Sequence, residues 1–145
     1  MKHYTDNFAH DSLPSIDLQP TYLKGWYENE MLNCVDRLLD THIKTGNGNN
    51  PCLRTFKKTW TYQDLYEKAN QIAHVLIDDL GLQSGNRVLI RSANNPMMVA
   101  LWFGILKAGG IVVATMPLLR SKELTTIIDC AEISRVFCDI ALKKK

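Results

Sequence analysis

The sequence predicts an α/β fold, a parallel (mixed) sheet with helices on both faces. Three observations carry that prediction. Between Thr61 and Cys138, helical stretches alternate with short β-branched runs in the order α, β, α, β, α, β. The links are short, so each helix serves as a crossover between parallel strands. The one long apolar run, Met97 to Arg120, is cut by Gly109-Gly110 into two pieces of a water-soluble core.

Residues 1–30 read as an irregular arm, with Tyr4, Phe8, Tyr22, Trp26 and Tyr27 as possible anchors. Met31 to Ile43 carries Leu32, Val35, Leu38, Leu39 and Ile43 at helical spacing. Thr45 to Pro51 is turn-rich, and Cys52 to Thr61 reads as a hairpin with Lys57-Lys58 near its turn. Thr61-Tyr62-Gln63-Asp64 has capping-box spacing, in which a hydroxyl and a carboxylate satisfy orphan amides reciprocally. The helix it opens presents Leu65, Ala69, Ile72, Ala73, Leu76 and Leu80 on one face and stops at Gly81. Arg87 to Arg91 is a strand. Asn95 caps the next helix, and Pro96 suits its first position, where no N–H is needed. Lys107 falls in the last turn, at the negative end of the dipole, and Gly109 is the left-handed stop. Ile111 to Thr115 is expected to be an inner parallel strand. Ser121 is expected to cap a third helix with Leu124, Ile127, Ile128 and Ala131 inward, and Arg135 to Cys138 is the last strand. The domain is thus expected over residues 31–142, with a lysine tail at 143–145.

The apolar run could be mistaken for a membrane span, but Lys107 lies near its middle. Charge at a bilayer centre costs at least ~2.5 kcal/mol. No membrane partner is expected. Nor is nucleic acid, because the net charge of +2 comes from the three terminal lysines rather than from a basic face. Cys34, Cys52, Cys130 and Cys138 form no C-x-x-C pair, and reduced thiols in a cytoplasmic protein are expected. His3, His10, His42 and His74 show no zinc spacing, so no metal site is expected. The N-terminus has no apolar signal segment.

Gly104 to Gly109 has phosphate-loop spacing, but Gly110-Ile111 follows where Lys-Ser/Thr would be required. Gly104 also lies inside an apolar helix, where helix packing is its expected role. Gly46-Asn47-Gly48 lacks the third glycine of a dinucleotide fingerprint, with Pro51 in its place, and no strand leads into it. No G-x-S-x-G elbow and no catalytic constellation is visible, so no catalytic residue is assigned.

The order of features nevertheless resembles the N-terminal part of AMP-forming acyl-CoA ligases, the adenylate-forming superfamily. The likeness rests on Thr61-Tyr62 with Leu65, Gly85 with Val88, Asn94-Asn95-Pro96, and Lys107-Ala108-Gly109-Gly110, and runs from about Leu32 to Leu142. Thr115-Met116-Pro117-Leu118-Leu119-Arg120 is most similar to the aryl-acid branch, such as 2-aminobenzoate-CoA ligases. The resemblance implies two-step chemistry in the complete enzyme. A carboxylate attacks the α-phosphate of ATP, with magnesium, to give an acyl-adenylate and pyrophosphate, and coenzyme A thiol then displaces AMP. The chain stops before the family's phosphate loop, ribose-binding acid and lysine-bearing domain, so it is expected to be a fragment that is inactive alone. Its expected partners are the remainder of such a ligase, or another copy of itself held by exposed apolar surface at the Val136 strand edge. The resemblance also places Leu118, Leu119 and Arg120, with Lys143, on the coenzyme A side, since a guanidinium suits a phosphate. The plainer reading makes Arg120 a surface residue before a helix and Lys143 part of the tail. A free-standing nucleotide-binding or interaction module of the same topology is the alternative to a ligase segment.

Overall fold

The computed structural model describes residues 5–12 and 33–142. After the short helix α1 (Phe8–Asp11), helix α2 joins a wide turn, Asp36–Asp40, to Thr41–Lys44. A hairpin of β1 (Pro51–Arg54) and β2 (Thr59–Thr61) leads into α3 (Tyr62–His74), extended by a second wide turn, Val75–Asp79. Then come β3 (Arg87–Arg91), α4 (Pro96–Lys107), β4 (Ile111–Thr115), α5 (Ser121–Cys130) and β5 (Arg135–Cys138). The last three strands form a parallel sheet in the order β4-β3-β5.

Local chemistry fixes the helix starts. The Thr61 hydroxyl accepts from the Asp64 N–H at 3.1 Å, and the Asp64 carboxylate accepts from the Thr61 N–H at 2.8 Å. The Asn95 amide oxygen accepts from the Met98 N–H at 2.9 Å, with Pro96 in the first helical position. Gly109, at φ +78°, ends the helical path and turns the chain into β4.

Strand order corrects one expectation. Ile111–Thr115 is not an inner strand: among the described residues it is an edge, and Arg87–Arg91 lies between its neighbours. A β-branched apolar run marks burial, not position in the sheet, and here helix packing buries one face of an edge strand. The chain moves one way from β3 to β4 and back across β3 to β5. Crossovers of one hand therefore put α4 and α5 on opposite faces.

The α3/α4 face is closely packed. Val88 and Ile90 meet Ala73, Leu76, Ile105 and Ala108, with Leu101, Val112 and Phe137 against them. At the α3–α4 crossing, a Cβ built on Gly104 would lie 2.5 Å from Ile72 Cγ2, so only glycine lets the helices approach this closely. That is the packing role expected of Gly104. A second cluster joins Val35 and Leu39 to Leu65, Ala69 and Ala100. Lys107 lies in the last turn of α4, as expected, and from there reaches across to the two neighbouring helices. It pairs with Asp40 at 2.9 Å, donates to Asn70 at 2.5 Å and lies 4.2 Å from the centre of the Tyr66 ring.

The α5 face is thinner. No residue of α5 is fully buried; Leu124, Ile127 and Ile128 are half-buried. Helix α5 also begins one residue off the expectation. Arg120, in an extended conformation, is the cap position, and Glu123 accepts its N–H at 3.0 Å, so Ser121 is already helical. Leu38 and Leu80 also depart from their expected stripes, at 58% and 41% exposed. Each lies in or just after a wide turn, whose i→i+5 bond shifts the phase of the helix.

Candidate functional site

Strand β3 is apolar in the middle and carries arginine at both ends. Because side chains alternate, Arg87, Leu89 and Arg91 share the α5 face, opposite Val88 and Ile90. Arg87 and Arg91 are 5% and 7% exposed. Two buried cations four residues apart require partners, and those partners define the two ends of the sheet.

At the strand's start, Arg87 forms an ion pair with Asp6 and donates to the backbone oxygens of Ala131 at 2.8 Å and Gly85 at 3.0 Å. Glu132 lies 3.5 Å away, and Phe8 presents its ring 4.5 Å from the guanidinium carbon. Asp6 also accepts from Asn86, and its own N–H donates to the Ser84 carbonyl. A side chain at position 85 would collide with the Asp6 carbonyl, so Gly85 is what admits this segment. The Phe8 N–H bond to the Asp6 carboxylate, together with Arg87 and Asn86, holds that carboxyl below its usual range. Of the aromatic residues expected to anchor the arm, Phe8 docks here. Tyr4, Tyr22, Trp26 and Tyr27 lie outside the described residues.

At the strand's far end, the Arg91 fork donates to three carbonyls: Pro117 at 3.1 Å, Leu119 at 3.0 Å and Leu142 at 2.9 Å. Its Nε is buried without a hydrogen-bond partner. Among the described residues no carboxylate lies within ion-pair distance of it. Arg91 is a wall of a cavity of about 510 Å³ completed by Pro117, Leu118, Leu119, Arg120 and Ser121. The cavity lies past the carboxyl ends of the strands and beside the start of α5, where an open parallel sheet offers ligands a crevice.

The structure thus brings Leu118, Leu119 and Arg120 together in one cavity wall. Lys143 lies outside the described residues. Leu118 is strongly exposed, Leu119 half-buried and Arg120 exposed. Arg91 is the residue that sequence reasoning missed. The available signal was a charge closing an apolar inner strand, Arg-Val-Leu-Ile-Arg, because a buried cation must collect acceptors from whatever it faces. A second cavity, of about 220 Å³, lies between the hairpin and the start of α4, with Leu53, Arg54, Pro96 and Met98 in its wall. It has no buried charge.

Among the described residues no group of three or more His, Cys, Asp or Glu side chains could hold a metal ion, and no described helix is long and apolar enough to cross a membrane. The four cysteines are free thiols. Burial raises the Cys52 thiol above its usual range, which makes it a poor nucleophile.

Comparison with known proteins bears on this geometry. The family model described as AMP-binding enzyme matches residues 40–145. Human long-chain fatty acid transport protein 6 is 33% identical over 69 residues, covering 48% of this chain and 11% of that protein. The long-chain-fatty-acid–CoA ligase of Bacillus subtilis is 38% identical over 79 residues, covering 54% of this chain and 14% of the ligase. The chain therefore spans a small part of the length of these curated relatives. Among solved structures, the anthranilate CoA ligase AuaEII in complex with anthranoyl-AMP is 25% identical, with a TM-score of 0.71 over 78% of this chain and 22% of that one.

Proposed function

The chain belongs to the AMP-binding enzyme family, and from that premise we propose that it forms the opening α/β segment of an acyl-CoA ligase. Its task there is to build the cleft that receives the nucleotide end of coenzyme A. The observation that carries this reading is Arg91. It is a buried cation with no carboxylate partner among the described residues, and it sits in the wall of the cavity that Leu118, Leu119 and Arg120 complete. A buried charge without a counter-charge is costly, and an anion entering the cavity offsets that cost. Arg120 adds a second guanidinium at the mouth. The donor set thus fits the phosphates of coenzyme A, with the adenine against Pro117 and Leu118. Lys143 is proposed to add a further cation to this side.

We assign the described residues no step of adenylation. ATP and magnesium are proposed to act on other parts of a complete ligase. The chain alone is proposed to be inactive. For the acid, the Thr115 to Arg120 stretch and the likeness to the anthranilate ligase support an aromatic carboxylate; the higher identities to long-chain fatty acid proteins support a fatty acid. Without the rest of a ligase, the exposed edge at Val136 is proposed to drive self-association. The proposed compartment is the cytoplasm.

Calorimetric titration with coenzyme A, dephospho-coenzyme A, ATP and AMP tests the cleft. Coenzyme A is expected to bind about tenfold more tightly than its dephospho form, which lacks the 3′-phosphate. Equal affinities contradict the phosphate assignment. Preferred binding of ATP or AMP instead supports the free-standing nucleotide module.

A further inference from the structure

We infer that Arg91 is a positioning residue that sets the shape of the coenzyme A cleft, a role that rests on the reading of that cleft given above. Its fork reaches two segments far apart in sequence. One is the loop after β4, through the carbonyls of Pro117 and Leu119; the other is the turn Ile140–Leu142 after β5, through the carbonyl of Leu142. One guanidinium on the central strand therefore ties the ends of both outer strands together. The backbone repeats the link, since the Asp139 N–H donates to the Arg91 carbonyl at 2.9 Å. On the other side, the Thr115 hydroxyl donates to the Ile90 carbonyl at 3.2 Å.

An apolar side chain of similar volume could fill this site without burying a charge. It could not hold two loops at a fixed separation, nor leave a positive charge in the cavity wall. Lysine could not substitute fully, because its single ammonium lacks the planar fork that serves three carbonyls from one plane. Leu118, in the cavity wall, is 79% exposed, and Ile140, in the turn that Arg91 ties to that loop, is 85% exposed, so the Arg91 fork fixes the loop that lines the cavity against the end of β5.

The test compares the full wild-type chain with Arg91→Met and Arg91→Lys by coenzyme A calorimetry and by hydrogen exchange. Arg91→Met is expected to weaken coenzyme A binding roughly tenfold or more, because it removes the buried cation as well as the bonds that order residues 117–119 against Leu142. Exchange should rise together at residues 117–120 and 140–142 while 88–90 stay protected. If Arg91→Met does not fold, Arg91→Lys carries the test, since it keeps the charge and loses the fork; a similar loss of affinity is expected. Wild-type affinity in Arg91→Lys, or an exchange change confined to one of the two segments, overturns the positioning role while leaving the cleft reading intact. A wild-type chain that binds no coenzyme A overturns the cleft reading and this inference with it.

Discussion

Arg87 and Arg91 occupy the two ends of one strand, share one face and are almost equally buried, yet they are satisfied in opposite ways. Arg87 meets carboxylates: Asp6 in direct contact and Glu132 at its edge, with a ring stacked on top. Arg91 meets three carbonyls and the Cys138 sulfur, with no carboxylate among the described residues, and its Nε–H is unused. The first arrangement is closed and its cation is fully compensated, as expected of a pin. The second is open and positive, and it faces the only one of the two ends where the strands' carboxyl termini leave a crevice. The same residue type in the same strand thus serves stability at one end and recognition at the other. The difference lies in what the neighbouring loops bring to it.

The largest expected effect comes from breaking the closed end. Arg87→Met leaves the Ala131 and Gly85 carbonyls without their donor and should lower unfolding stability by about 3 kcal/mol, read from urea denaturation. Next is a change that touches neither end. Gly104→Ala puts a methyl into Ile72 and should cost about 2 kcal/mol by overpacking, with no effect on ligand binding. Arg91→Met should cost less in the same assay, about 1 kcal/mol, because removing a buried unpaired charge offsets the lost bonds. Equal losses for Arg87→Met and Arg91→Met would erase the distinction between the ends.

The smallest effect is in acid, and it sharpens the contrast. The Asp6 carboxyl is held below the ordinary aspartate value, first by the Phe8 N–H and then by Arg87 and Asn86. A depressed folded-state value means the unfolded chain binds the proton more readily. Its stabilisation is therefore complete above the unfolded value of 3.8 and is lost as pH falls below it toward the folded value. Asp6→Asn should flatten that part of the stability profile. Arg91→Met should leave it unchanged, since no carboxylate pairs with Arg91.

Much of the fold was legible because its signals are local. The Thr61–Asp64 box, the Asn95-Pro96 start and the Gly109 stop each act within one turn of backbone, and all three lie where the sequence placed them. What needed the structure was long-range. Which strand lies in the centre depends on the direction of each crossover, and the β-branched composition of Ile111 to Thr115 does not encode it. The exposure of Leu38 and Leu80 follows from wide turns that helical spacing does not reveal. Of the candidate site, Leu118 to Arg120 were readable by resemblance. Arg91 was not, because its acceptors are backbone carbonyls from residues up to 51 positions away, and any sequence can supply a carbonyl.

The most direct measurement is a map of backbone amide chemical shifts in the full chain as coenzyme A is added. The changes should gather at residues 115–121 and 139–142, on both sides of Arg91, while Asp6, Phe8 and the Arg87 end stay silent. Changes centred on the Arg87 end or on the hairpin cavity near Leu53, or none at saturating coenzyme A, would contradict the assignment of recognition to the carboxyl end of the sheet.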